Sequence, residues 1–390
     1  MQREETDYTD ILIIGGGYAG RYAAARARTR DPNLSITLVD PNDGAIQRAR
    51  SHEAAAARNP TARSWSSLLP ADIRVIQGRA DKIDPSRRRC RVVAVRDDTQ
   101  PHRTLAYRAL IVATGSRVSM LPTDNSVPSY AVDDPTLGQH ARRARSFTVI
   151  GAGLSGVEVA CELRERFDVP VELVAPDILP ASSQKAAVYA RQRTDELGIQ
   201  HVTARADCIR DHALHLVGGT RRSVDSIICA NGFDCESPFD VPRRPANTLQ
   251  DEVFPDIFYA GDQLAGYRHE KAFHPSCALA IPSGVHAAEN AIRFLQGQPL
   301  EPFRFGTLFR LISIGRRDGI IDRTRLDGTP RNSIITGRLA AFAKERILRM
   351  TDWALRLELF TGWPIYRWPE PSEPAALPDA PLSRRRELPR

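Results

Sequence analysis

Lysine is nearly missing from this chain. Of 54 basic residues only four are lysine (Lys82, Lys185, Lys271 and Lys344), and arginine supplies the rest. That imbalance is the mark of GC-rich coding more than of a surface selected for polyanions. The basic excess is also local: residues 301–390 hold 17 basic and 11 acidic side chains, the preceding 300 hold 37 and 36. No nucleic-acid motif accompanies it and no aromatics interleave with a basic groove, so nucleic acid is not an expected partner. Paired cysteines are lacking too. Cys90, Cys161, Cys208, Cys229, Cys235 and Cys277 form no C-x-x-C and no metal-ligand spacing, which supports no metal site and reads as small buried residues. Long apolar runs are absent, and no window approaches the roughly 18 residues needed to span a bilayer. Met1–Asp10 is polar and acidic, unlike a signal peptide, so a cytoplasmic location is the default expectation. The 390 residues, 42% of them hydrophobic, leave room for two or three domains with their own cores.

What is present is a pattern near the start. Ile11–Ile14 runs into Gly15-Gly16-Gly17-Tyr18-Ala19-Gly20, a run rich in Ala and Arg follows, and Ser35–Val39 ends in Asp40. This reads as a buried strand, a glycine turn, a helix and a second buried strand ending in an acid. In such a G-x-G-x-x-G, Gly15 makes the tight turn, Gly17 lets the backbone approach a pyrophosphate, and Gly20 lets the helix pack on the strand. The helix N-terminus offers N–H groups and a positive dipole end to phosphates. Asp40 is placed to accept hydrogen bonds from the hydroxyls of an adenosine ribose. Arg21 could reach a phosphate or lie in solvent.

Farther along, Gln47–Ala56 reads as helix, Ile73–Ala80 and Cys90–Val95 as strands, and Tyr107–Ser116 as a buried strand ending in Ala113-Thr114-Gly115. Pro122–Pro135 reads as a linker. Phe147–Ile150 then opens a second copy of the pattern, with Gly151-Ala152-Gly153-Leu154-Ser155-Gly156, a helix to about Phe167, and a strand Val171–Val174. Two glycine turns of this kind, each between strand and helix, carry more weight than either alone. The position matching Asp40 is Ala175, which lacks the acid that favours an unphosphorylated ribose. Ser182, Ser183 and Lys185 are candidates to hold a 2′-phosphate. Glu158 falls in the first helical turn, as a functional carboxylate or as a surface acid stabilising the dipole. Ser226–Gly232 and Phe254–Asp262 are further strands ending in small residues. Pro275–Leu295 reads as a helix with Pro275 in its first turn, Leu308–Ile321 as strands, and Arg338–Leu359 as a helix.

Gly15-x-Gly17-x-x-Gly20, Ala113-Thr114-Gly115, Gly151-x-Gly153-x-x-Gly156-x-Glu158 and Ala260-Gly261-Asp262 together resemble the two-dinucleotide-domain flavoprotein oxidoreductases, over about residues 8–300. The absence of cysteine from residues 41–70 argues against the disulfide-reductase branch. Ala280–Gly284, Ile314–Gly319 and Gly337–Ala340 resemble the type II NADH dehydrogenase-like branch. The resemblance implies an α/β fold with two Rossmann-like domains, for FAD and NAD(P), the second inserted in the first, plus a C-terminal α+β extension. Expected boundaries are 1–125 with 246–300, 126–245, and 301–390. The first motif, with Tyr18 and Ala19, would hold FAD, Asp262 its ribityl chain, and the Ala80 backbone its adenine; the second motif would hold NAD(P)H. The glutamines of the family's quinone pocket would fall near Ala278 and Pro282–Ser283, and none is present.

The activity this implies is hydride transfer from NAD(P)H through flavin to a quinone-like or conjugated small molecule. The alternatives are a biosynthetic flavoenzyme with a weak NAD(P) site, and a flavin-binding sensor without turnover. Candidate catalytic groups are Glu158, His52 and His274; His269 is a further candidate proton donor, since histidine titrates near neutrality, and each histidine could equally be structural. Cys277 could touch the flavin or simply pack. The last helix gathers Leu339, Phe342, Ala343, Ile347, Met350, Ala354 and Leu357 on one face, flanked by Arg346, Arg349 and Arg356. That face is expected to meet a membrane interface, the flavin domain, or a second copy in a homodimer.

Overall fold

The computed structural model describes residues 6–56, 62–95, 102–235, 245–265, 275–363 and 368–369. Its core is two parallel sheets built on the same plan. In the first, Thr6–Ile14 lies between Ile36–Asp40 and His102–Val112, with Ile73–Asp84 and Ile257–Tyr259 outside them. Ile11, Leu12 and Ile13 have no exposed surface, as expected of a strand covered on both faces. Ile73–Asp84 spends its second half on an antiparallel ribbon with Arg89–Ala94, which returns to the start of His102–Val112. The second sheet runs Gln200–Val202, Val171–Val174, Phe147–Ile150, Ile227–Cys229 and Ser129–Ala131, all parallel. Because Ile257–Tyr259 completes the first sheet only after the whole of the second, the second Rossmann unit is inserted in the first.

Eight helices are described: α1 (Tyr18–Arg30), α2 (Ser51–Ala55), α3 (Trp65–Leu68), α4 (Leu137–His140), α5 (Leu154–Phe167), α6 (Gln184–Glu196), α7 (Cys277–Leu295) and α8 (Arg338–Thr361). The alanines of α1 leave α7 free to pack tightly against it: a side chain at Gly284 would collide with the Ala19 backbone. Beyond α7, three antiparallel strands, Phe309–Ser313, Gly319–Thr324 and Pro330–Thr336, form the C-terminal sheet that α8 follows.

The structure corrects three readings. Ser129–Ala131, inside the expected linker, is the edge strand of the second sheet; three residues carry no periodicity, and pairing with Ile227–Cys229 makes the strand. The helix expected over Gln47–Ala56 is a 3₁₀ turn, Arg48–Arg50, leading into α2. Pro275 precedes α7 instead of opening it, since the Ser276 hydroxyl caps the helix by accepting from the Leu279 N–H at 3.2 Å.

For α8, whose apolar stripe had three open destinations, the buried face overlaps that stripe only in part, at Ala354. Ala340, Lys344, Leu348, Thr351, Leu355 and Glu358 are buried, whereas Leu339, Phe342 and Met350 are exposed. Ion pairs fix the rotation. Asp352 meets the fully buried Arg21 of α1 at 3.2 Å and also accepts from Gln47. Glu358 meets Arg26 at 3.2 Å, and Glu345 meets Arg50 at 2.9 Å. Arg21 therefore reaches neither solvent nor a phosphate; its guanidinium lies over the Tyr18 ring at 4.2 Å.

Candidate active site

The two glycine turns open into one cavity of about 1810 Å³. They are near-copies. The Gly15 N–H donates to the Val39 carbonyl at 2.8 Å and the Gly151 N–H to the Val174 carbonyl at 2.9 Å, each glycine at φ +97°. In that left-handed region a side chain is strained, and here it would also strike Ala113 or Ala230. Side chains at Gly20 or Gly156 would collide with the carbonyls of Gly15 and Gly151. Gly17 and Gly153 differ: nothing lies within 4 Å of where their side chains would be. Both are helix N-caps with no side-chain cap, so the first N–H groups of α1 and α5 have no side-chain acceptor there. Uncapped donors at a positive helix end, beside an open cradle, fit a pyrophosphate in each turn.

Around the first turn the cavity is lined by Tyr18, Ala19, Asp40, Ala80, Ala113, Thr114, Gly115, Gly261 and Asp262. The Asp40 carboxylate accepts from the Gly16 N–H at 2.7 Å and the Asn42 N–H at 2.8 Å, which fixes it at the end of its strand. Asp262 accepts from the Ser116 hydroxyl at 2.7 Å, and burial pushes its pKa above the usual carboxylate range. Its turn is tied to α7, where the Gly261 N–H donates to Ser283 Oγ at 2.9 Å. Ser283 thus supports the turn from within the core, while Ala278 faces the cavity.

Where the two units meet α8, three side chains converge. Glu158 is a buried group and not a surface acid. Its Oε1 accepts from the Lys344 ammonium and from the Ser313 N–H at 3.0 Å; its Oε2 lies 3.3 Å from His52 Nδ1. All three line the cavity. Burial first, then the positive charges of Lys344, Arg316 and Arg50 against an opposing Glu53, holds His52 well below its ordinary pKa of 6.5. The ring is therefore neutral, and the expectation that it titrates near neutrality does not hold. Beneath them, Glu53 meets Arg50 at 2.8 Å and Arg316 at 3.2 Å, locking α2 to the C-terminal sheet.

Lys344 carries a role that the sequence reading missed. Its signal was rarity: in a chain this rich in arginine, a lysine kept at a buried helical position is a choice of a compact ammonium. His269 and His274 lie outside the described residues. Burial pushes the Cys277 thiol up, which keeps it protonated at the start of α7. Of the 2′-phosphate candidates, none of Ser182, Ser183 and Lys185 lines the cavity; Ser183 caps α6 and donates its N–H to Asp322 at 2.9 Å.

Comparison with known proteins agrees with this geometry. Residues 9–289 match the pyridine nucleotide-disulphide oxidoreductase family. Ferroptosis suppressor protein 1 of Mus musculus is 22% identical, over 94% of this chain and 98% of the relative. A type II NADH:quinone oxidoreductase of Staphylococcus saprophyticus is 23% identical, over 87% and 94%. Among solved structures, the sulfide:quinone oxidoreductase of Aquifex aeolicus superposes with a TM-score of 0.75 at 17% identity, covering 97% of this chain and all of that one. The chain belongs to the pyridine nucleotide-disulphide oxidoreductase family, and is an oxidoreductase that works with FAD and NAD(P)H.

Proposed function

We propose that this protein takes reducing equivalents from NAD(P)H and delivers them to a quinone or a similar conjugated, apolar small molecule. The observation that carries the reading is the single cavity, which joins both glycine turns to an apolar wall formed by Phe305, Leu308, Phe309, Ile347, Leu348 and Met350. When bound, the flavin supplies the redox centre between donor and acceptor. Gly15, Gly17, Tyr18, Ala19 and Gly20 would cradle its pyrophosphate, and Asp40, Ala80, Ala113, Thr114, Gly115, Gly261 and Asp262 would hold the rest of FAD. Gly151, Gly153 and Gly156 would hold the coenzyme. No glutamine stands at Ala278 or Pro282–Ser283, so the acceptor is seated by apolar contact more than by amide hydrogen bonds.

A quinone reduced by two electrons also takes up two protons. Lys344 Nζ, which lines the cavity and is held by Glu158, would supply one of them. His52 Nδ1 lies 3.3 Å from the other oxygen of the same carboxylate and packs against it. The exposed stripe of α8, with Leu339, Phe342, Met350, Trp353 and Phe360 beside exposed Arg346 and Arg349, supports resting on a membrane surface where apolar acceptors are found.

Anaerobic stopped-flow of the flavin-loaded protein with NADH and NADPH, followed by menadione, tests the reading. Rapid loss of flavin absorbance with either coenzyme and its return on menadione is expected. A flavin that neither coenzyme reduces, or that menadione does not reoxidise, overturns it.

A further inference from the structure

The internal repeat supplies its own control for coenzyme choice. In the first sheet Ile14 aligns with Val39 and Val39 with Ile76; in the second, Ile150 aligns with Val174 and Val174 with Val202. By this register Ala175 occupies the place of Asp40, and Arg205 the place of Arg79. Both arginines line the cavity. At the first site a carboxylate closes the strand end; at the second there is only a methyl group. The Ala175 and Ala204 N–H groups both donate to the Val202 carbonyl, at 3.1 and 2.9 Å. Ala175 and Arg205 thus follow the carboxyl ends of neighbouring strands and line the same cavity, at the edge where open α/β sheets bind ligands. Arg205 is exposed, and among the described residues its guanidinium has no hydrogen-bond or ion-pair partner. Asp177 lines the same rim but stands three residues past the strand end, exposed to screening solvent.

We propose that the hydride donor is NADPH, with the Arg205 guanidinium binding the 2′-phosphate in the space that Ala175 leaves. This rests on the reading that the Gly151–Gly156 turn holds the coenzyme. A carboxylate at this strand end accepts from a free 2′-hydroxyl and repels a phosphate, whereas an arginine fork matches phosphate geometry. Removing the acid and leaving an unengaged arginine reverses the preference.

Calorimetric titration of the flavin-loaded protein with adenosine 2′,5′-bisphosphate and with 5′-AMP reads the phosphate site without hydride transfer. The bisphosphate is expected to bind about tenfold tighter than 5′-AMP, or about 1.4 kcal/mol. Arg205→Leu should erase that preference, Arg205→Lys should keep part of it, and Ala175→Glu should invert it by repulsion. The ratio of kcat/KM for NADPH to that for NADH should fall in the same order. Equal affinity of the two nucleotides in the unaltered protein, or a preference that survives Arg205→Leu, overturns the assignment. A preference that responds to these substitutions while neither coenzyme bleaches the flavin would sink the hydride-transfer reading and leave the 2′-phosphate site standing.

Discussion

The Lys344 ammonium donates to the Glu158 carboxylate across 186 residues of sequence, and both groups are buried. The pair joins α8 to the second turn of α5, so the C-terminal helix is bolted to the second Rossmann unit at the cavity itself. Taking away one member of a buried ion pair leaves the other uncompensated. Lys344→Met should therefore destabilise the fold by about 3 kcal/mol, the lower end for such a loss because His52 and Ser313 still engage Glu158. Denaturant unfolding of Lys344→Met, Glu158→Gln and the double variant checks this. The double variant should lose clearly less than the sum of the singles, and strict additivity would show that the pair is not coupled.

The two kinds of glycine in each turn should separate under mutation. Gly156→Ala forces a methyl group into the Gly151 carbonyl and should prevent stable folding or lower the melting temperature sharply. Gly153→Ala meets no atom and should cost about 0.5–1 kcal/mol at an N-cap. Its methyl group fills the cradle, so coenzyme affinity should drop by about tenfold or more. Thermal melts and coenzyme titrations measure the two effects apart. Unchanged affinity in Gly153→Ala would mean that no pyrophosphate approaches there.

His52 makes stability depend on pH with a definite sign. Its folded pKa lies below the unfolded value of 6.5. As pH falls through 6.5 the unfolded chain binds a proton that the folded ring refuses, so stability declines on the acid side and is fully present above. The contribution to the slope is at most about 1.4 kcal/mol per pH unit. Denaturant unfolding between pH 7.5 and about 5 should show a shallower acid decline for His52→Gln than for the unaltered protein. An identical slope would place the titrating groups elsewhere.

The outer stripe of α8 should decide membrane contact. Phe342→Asp together with Trp353→Asp alters two exposed side chains, so the melting temperature should change little. Sedimentation with vesicles rich in anionic lipid should fall several-fold in this variant. If neither form sediments, the stripe has another occupant, and a shift in oligomeric mass on mutation would identify it as a second copy of the chain.

Much of this architecture could be read from the sequence because it is local. A glycine turn, the strand before it and the helix after it are specified within about twenty residues, and Asp40 and Ala175 could be matched by counting alone. The rest depended on partners far away in the chain. No periodicity marks Ser129–Ala131 as a strand, since only Ile227–Cys229 makes it one. The apolar spacing of α8 left open which face turns inward, because hydrophobic spacing ignores Arg21, Arg26 and Arg50, whose carboxylate partners set the rotation. Glu158 could be singled out by its position, but its burial could not, because Lys344 and Ser313 cover it from the C-terminal segment.

The late strand Ile257–Tyr259 has a consequence for how the chain is made. The first sheet cannot close when its other strands leave the ribosome, because its edge on His102–Val112 waits for residues beyond the whole second unit. At ordinary rates of synthesis that wait is on the order of 10 s. The second unit, continuous in sequence from Ser129 to Cys229, is complete first and can act as the template on which the earlier-made segment settles. Until Tyr259 emerges, Leu110, Ile111 and Val112 present an open, apolar strand edge, the period in which the nascent chain is most exposed to aggregation.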